Sequence, residues 1–270
     1  MIGIIGAGNM GSSILGGILR SGIAAADDIM ASCRSEASRK AISERFGVHV
    51  TGDNRSIAKA SDVLIIAVKP SDIDQLIAEI REYIRTDAII ISAAAGKSVG
   101  YLEEAFGADA APRKIVQIMP NTPVLVGEGM TAVIPNSQIT DEDLETVMKL
   151  TGSFGNAEVI PESMIDKFTA LAGCSPAMMF MIIESMADYG VRAGFTKMRA
   201  SQIAAQAMKG AAEMLLETGK HPAELKDMVC TPGGDTIVGI HDLEKSGLRS
   251  CIIEGMRSFE RACAHMSEPE

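Results

Sequence analysis

The chain has no tryptophan, only 4% aromatic residues, and no run of lysine or arginine anywhere in its 270 residues. The missing basic run argues against nucleic acid as a partner, because binding it begins with a basic footprint. The formal net charge of −10, from 25 basic and 35 acidic residues, argues the same way. The five cysteines, Cys33, Cys174, Cys230, Cys251 and Cys263, form no CxxC pair and are odd in number. That pattern speaks against a disulfide scaffold and against a zinc site, and it suits a reducing compartment. No metal is expected. The opening Met1-Ile2-Gly3-Ile4-Ile5 lacks the basic region and longer apolar segment of a secretion signal. The longest unbroken apolar stretch, near 176–183, falls far short of the roughly 20 residues that a membrane helix needs. A cytoplasmic protein that meets neither membrane nor nucleic acid is the expectation.

What is present is an ordinary globular balance, with 47% hydrophobic and 22% charged residues, enough to build one large domain or two of usual size. Alanine, isoleucine, leucine and 17 methionines must fill the interior, which favours close helix packing. Up to about residue 160, short apolar runs at 2–5, 29–32, 63–68, 88–92, 115–118, 130–135 and 158–160 alternate with helical stretches. Runs without polar alternation mark strands buried on both faces, so a parallel sheet covered by helices follows. Beyond Pro161 the strand signals stop and long helical segments rich in alanine, methionine and glycine take over. The expected fold class is α/β. A doubly wound, mainly parallel Rossmann domain over 1–160 is followed by an all-α domain over 161–270. The segment 199–219 carries a stripe of small residues, Ala200, Ala204, Ala205, Ala207, Gly210, Ala211 and Ala212, that lets another helix approach closely. A helical domain so apolar is expected to share its core with a second subunit.

The run Gly6-Ala7-Gly8-Asn9-Met10-Gly11 follows the first apolar run and leads into a helix start. Gly6 makes a tight turn, Gly8 admits a pyrophosphate close to the backbone, and Gly11 permits helix and strand to touch. A glycine-rich turn alone is weak, but this one lies inside a βαβ chain, after a strand and before a helix. A dinucleotide is therefore the expected cofactor. An NAD-preferring site ends its second strand with an acid, about twenty residues beyond the turn. Here the 29–32 run passes into Cys33-Arg34-Ser35, so a cation and a hydroxyl stand where a 2′-phosphate would need them. NADPH is expected, and Glu36 keeps NADH open, as does Arg34 if it is merely a solvated residue at a helix start.

Further motifs occur in order: Ala67-Val68-Lys69-Pro70, Ser92-Ala93-Ala94-Ala95-Gly96, Met119-Pro120-Asn121-Thr122-Pro123 and Thr231-Pro232-Gly233-Gly234-Asp235-Thr236. The first three lie just past the carboxyl ends of strands, where doubly wound sheets bind ligands. Together with the glycine turn, over residues 1 to about 263, they resemble the Δ1-pyrroline-5-carboxylate reductase family, whose members make L-proline. The resemblance implies reduction of 1-pyrroline-5-carboxylate by NAD(P)H and a dimer, or multiple of dimers, built through the helical domain. It implies that Asn54 and the Val68-Lys69-Pro70 loop contact the cofactor ribose and that Ala95 flanks nicotinamide and substrate. The glycines of the 231–236 loop free its backbone to wrap a small anion, with the Thr236 hydroxyl as a further donor. Without the resemblance, the same loop reads as an ordinary helix cap with a glycine turn. On the substrate side the resemblance points to Gly233, Gly234, Asp235 and Thr236, and to Glu162 as a balance for an iminium charge. Glu162 equally suits a helix dipole in the first turn after Pro161.

The chain departs from the family pattern at Cys174 and Ser175, where Ser-Gly is usual, and at Asp235, where a small residue or Thr is common. The pyrroline nitrogen is partly protonated near neutral pH, so hydride transfer needs positioning more than acid–base assistance. Consistently, His49, His221, His241 and His265 fall outside every motif. Thr236 is the candidate for orienting the substrate or relaying a proton. A related cyclic imine is the alternative substrate within this reading, and two rivals stand beside it. One is a β-hydroxyacid dehydrogenase, whose catalytic Lys would have Asn four positions later, whereas Lys167 is followed by Leu171. The other is a non-catalytic NADPH-binding regulator.

Overall fold

The computed structural model describes residues 1–107 and 112–267. These divide into two compact units, Met1–Gly173 with the chain end from Ala262, and Cys174–Arg261.

The first unit alternates strands and helices. In chain order these are β1 (Ile2–Ile5), α1 (Asn9–Ser21), β2 (Ile29–Ser32), α2 (Glu36–Phe46), β3 (His49–Thr51), α3 (Asn54–Ala60), β4 (Val63–Ile66), α4 (Ile73–Ile80), β5 (Ile89–Ser92), α5 (Val99–Gly107), β6 (Lys114–Pro120), β7 (Gly129–Pro135), α6 (Asp141–Gly152) and β8 (Gly155–Val159). The sheet order is β3-β2-β1-β4-β5-β6-β7-β8. Neighbours from β3 to β6 run parallel, with Ile4 beside Ala31 on one side and Ile65 on the other. Successive side chains point to opposite faces. Accordingly Ile4, Ile65, Ile91 and Val116 join one core, and Ile5, Leu64, Ile66, Ile90 and Ile115 join the other. Two covered faces explain why these strands show no polar alternation.

The sheet differs from a wholly parallel one at a single place. β6 and β7 are antiparallel, because only residues 121–128 connect them, too few for a crossover. β7 and β8 are again parallel, joined across α6. β3 had no counterpart among the apolar runs, since His49-Val50-Thr51 offers a single aliphatic residue.

After β8 a short helix α7 (Ile165–Phe168) passes into a π-helical turn, Thr169–Cys174, and then into α8 (Ser175–Arg192). α9 (Lys197–Thr218), α10 (Pro222–Val229), α11 (Asp235–Lys245) and α12 (Leu248–Ser267) follow. Part of the small-residue stripe acts as expected. A Cβ added at Gly190 of α8 would lie 2.7 Å from Ala200 Cβ, and Ala200 and Ala204 are buried. Ala205, Ala207, Ala211 and Ala212 stay exposed. So do Phe180, Met181, Tyr189, Met198 and Leu216. The helical run Glu162–Arg192 is 31 residues long and contains an 18-residue window of mean hydropathy 1.4, so by length and composition it is long and apolar enough to cross a membrane. The stretch at 176–183 understated it, because small and weakly polar residues on either side extend the apolar helix.

Phe154, fully buried, closes the corner between α6 and β8, and a Cβ on Gly17 of α1 would lie 2.6 Å from Phe154 Cβ. Phe154→Ala therefore empties a site that α1 has packed against. A loss of about 3–5 kcal/mol is expected in urea unfolding. A second expectation concerns acid. Desolvation raises the Asp143 carboxyl, but hydrogen bonds from Lys114 Nζ at 2.8 Å and from Thr140 outweigh it and hold the carboxyl below its ordinary 3.8. A depressed folded-state value stabilises above the unfolded one and is lost as pH falls through the folded one. The stability gap between the wild type and Asp143→Asn should thus be full at neutral pH and close in the acid range below 3.8, in unfolding curves across pH.

Candidate active site

A cleft of about 780 Å³ opens at the carboxyl ends of β1, β2 and β4. This is within the size of ordinary ligand sites. Its walls bring together Gly6, Gly8, Arg34, Ser35, Asn54, Val68 and Lys69. Asn9, Met10 and Gly11 lie in the first turn of α1 outside the lining, and Met10 packs partly against the core. Pro70 begins the turn Pro70–Asp72 beside the cleft. Ala95 is exposed in the loop after β5 and does not line it.

The turn meets the demands of a phosphate cradle. Gly6 has φ +91°, which L side chains rarely adopt. A Cβ at Gly11 would sit 2.4 Å from the Gly6 carbonyl oxygen, while one at Gly8 would meet nothing within 4 Å. Gly8 is the N-cap of α1 and supplies no side-chain cap, so the first-turn N–H groups remain for an anion. These features fit a dinucleotide pyrophosphate.

At the far rim, Arg39 Nη1 donates to the carbonyls of Cys33 at 3.1 Å and Arg34 at 2.9 Å, fixing the loop between β2 and α2. The Ser35 hydroxyl caps α2 by accepting from Ser38 N–H at 3.1 Å, and it also donates to Ser38 Oγ. The Arg34 guanidinium reaches across to Asp72 at 2.8 Å. Asn54 accepts from Ser32 Oγ at 2.7 Å and donates to Glu79 at 3.1 Å. Burial pushes the Cys33 thiol up against the opposing charge of Arg39, and the thiol donates to the Ala7 carbonyl. Ser32, Ser38, Asp72, Gln75 and Glu79 line the cleft without having been singled out in the sequence. Their signal was weak, because two carboxylates in an anion site run against expectation.

Two motif residues serve as ties. Glu162 Oε1 accepts from Val99 N–H at 2.6 Å, capping α5 from 63 positions away and anchoring the loop that carries Ala95. This is neither its own helix's dipole nor, by itself, a charge offered to substrate. Asn121 accepts from Met130 N–H at 2.9 Å and donates to the Ala172 carbonyl at 2.8 Å, joining the end of β6 to β7 and to the π-helical turn.

In the second unit, Gly233 has φ +72° and Gly234 is the N-cap of α11. A Cβ at Gly234 would lie 2.4 Å from Thr231 Oγ1. Asp235 and Thr236 form the exposed first turn of α11, with no capping side chain before them. Among the described residues no non-glycine residue has positive φ, so Ser175 in place of the family's glycine carries no backbone strain.

Residues 162–266 match the family described as pyrroline-5-carboxylate reductase dimerisation, and residues 1–96 match the NADP oxidoreductase, coenzyme F420-dependent family. A pyrroline-5-carboxylate reductase of Escherichia coli (strain K12) is 43% identical over 255 residues, 94% of each chain. One from Arabidopsis thaliana is 36% identical, over 99% of this chain and 95% of its own. Among solved structures, a pyrroline-5-carboxylate reductase from Coxiella burnetii superposes with TM-score 0.92 at 31% identity, covering 99% of this chain and 98% of its own. The Plasmodium falciparum pyrroline carboxylate reductase with NADP bound gives TM-score 0.84 at 30% identity, with the same coverage.

The Glu162 tie separates a cap from a charge. Glu162→Gln keeps an acceptor for Val99 N–H, so its melting temperature should stay near wild type. Glu162→Ala should lose about 1 kcal/mol, a typical cap, in thermal unfolding.

Proposed function

The chain belongs to the pyrroline-5-carboxylate reductase family, and from this we propose that it reduces 1-pyrroline-5-carboxylate to L-proline at the expense of NAD(P)H. The observation that carries the proposal is the glycine cradle at the mouth of the 780 Å³ cleft, built where a doubly wound sheet binds a dinucleotide.

In this reading the backbone at Gly6, Gly8, Asn9, Met10 and Gly11 holds the pyrophosphate. Asn54, Val68, Lys69 and Pro70 flank a ribose, and Ala95 flanks the nicotinamide. Arg34 and Ser35 favour NADPH over NADH. The bound nicotinamide supplies the hydride. What the chain supplies is orientation. Gly233 and Gly234 leave backbone N–H groups at the start of α11 to hold the substrate carboxylate, beside Asp235, and the Thr236 hydroxyl orients the ring or passes a proton toward its nitrogen. Glu162 holds the Ala95 loop through Val99, and its charge favours a cationic ring nitrogen. No histidine is assigned a step.

The functional division proposed is a cofactor domain over 1–160 and a substrate and dimerisation domain over 161–270. The exposed side chains of α8 and α9 support a homo-oligomer formed through the second of these. The same use accounts for the apolar run Glu162–Arg192 without a membrane. Cys33, Cys174, Cys230 and Cys251 form no disulfide, which is consistent with the cytoplasm.

The proposal is checked by following NADPH consumption with pyrroline-5-carboxylate, other cyclic imines and 3-hydroxy acids. Turnover with the first and none with 3-hydroxy acids is expected. Thr236→Ala should lower kcat/KM about 10- to 100-fold, the scale of one lost hydrogen bond to a charged ligand. Unchanged kcat/KM would remove Thr236 from the site.

A further inference from the structure

A site for a polyanionic cofactor is expected to be lined by donors and cations, yet this cleft carries two carboxylates, Asp72 and Glu79. Glu79 is occupied as acceptor for Asn54 Nδ2. Asp72 is engaged differently. It ends the turn Pro70–Asp72 on the β4 side and grips Arg34 at 2.8 Å from the β2 side, so the ion pair joins the two rims.

Arg34 is free to change partners. Its backbone is fixed by the two hydrogen bonds from Arg39, whereas its side chain is 86% exposed and packs into no core. Asp72 holds no other post: it stands at the N-cap of α4 but its side chain caps nothing there. A 2′-phosphate that approached Arg34 would meet a guanidinium already neutralised by a carboxylate, and would be repelled by that carboxylate as well. A ribose 2′-hydroxyl, being uncharged, would meet neither penalty.

We propose that Asp72 is a specificity-determining residue that competes with the cofactor's 2′-phosphate for Arg34 and so narrows the preference for NADPH over NADH. The inference rests on the reading that Arg34 receives the 2′-phosphate. Asp72 weakens NADPH binding without improving NADH binding, so its effect is confined to the ratio of the two.

Direct calorimetric titration of the full chain with NADP⁺ and with NAD⁺ tests this, in wild type, Asp72→Asn, Asp72→Ser, Arg34→Ala and Arg34→Ala/Asp72→Asn. Both Asp72 variants should bind NADP⁺ about fivefold more tightly, the scale of a competing exposed ion pair, with NAD⁺ changed by less than about twofold. The gain should vanish in the Arg34→Ala background and shrink at high salt. If Arg34→Ala weakens NADP⁺ selectively but the Asp72 variants leave the ratio unchanged or lower, the role of Asp72 is overturned while that of Arg34 stands. If Arg34→Ala leaves the ratio untouched, the reading of Arg34 itself falls, and the inference with it. Equal melting temperatures across the set exclude misfolding as the cause, and two different replacements at Asp72 guard against an effect of one side chain.

Discussion

The site rests on a contact in which there is no side chain. The Cα of Gly11 comes so close to the Gly6 carbonyl that a methyl group would stand 2.4 Å from that oxygen. The contact seats the start of α1 directly over the turn leaving β1. From it follow the open space beside Gly8 and the uncapped first-turn N–H groups that face an incoming anion. The Gly17 contact with Phe154 seats the other half of the same helix, so α1 is located at two points by absent Cβ atoms. Backbone proximity of this kind does not relax as a flexible side chain would, and it gives the cradle its fixed shape.

Around that contact the sheet provides rigidity through two cores. Alternate residues of β1, β4 and β5 feed opposite faces, so each central strand is clamped by helices on both sides. This clamping is why the strands were legible as unbroken apolar runs, 2–5 and 29–32 to the residue. What escaped was what does not depend on burial. β3 is held by backbone pairing to β2 with one aliphatic side chain, and the reversal of β7 is dictated by the length of its connection rather than its composition.

The site was legible where geometry forces residue identity and obscure where it does not. Gly6 and Gly11 declare themselves because a side chain does not fit there, and Gly8 because the space beside it is left open for a ligand. Arg34 and Ser35 were singled out by the missing acid at the end of β2, and both line the cleft. Glu162 could not: a carboxylate in a first turn looks like a dipole partner, and its tie to Val99 joins positions 63 apart with no local pattern. Asn121 is similar, its two hydrogen bonds linking β7 and the π-helical turn, whose irregular carbonyls have to find acceptable partners. Asp72 and Glu79 were hidden for the opposite reason, since their charge has the wrong sign for the site they line.

Arg39 holds the loop beyond β2 by its carbonyls, and so the scaffold of that loop is indifferent to whatever side chain position 34 carries. On the proposed role of Arg34, fold and coenzyme choice are thereby written on separate residues. On that role, lineages sharing this architecture are free to drift between the phosphorylated and unphosphorylated dinucleotide by exchanging one solvent-facing side chain, with no repacking to offset.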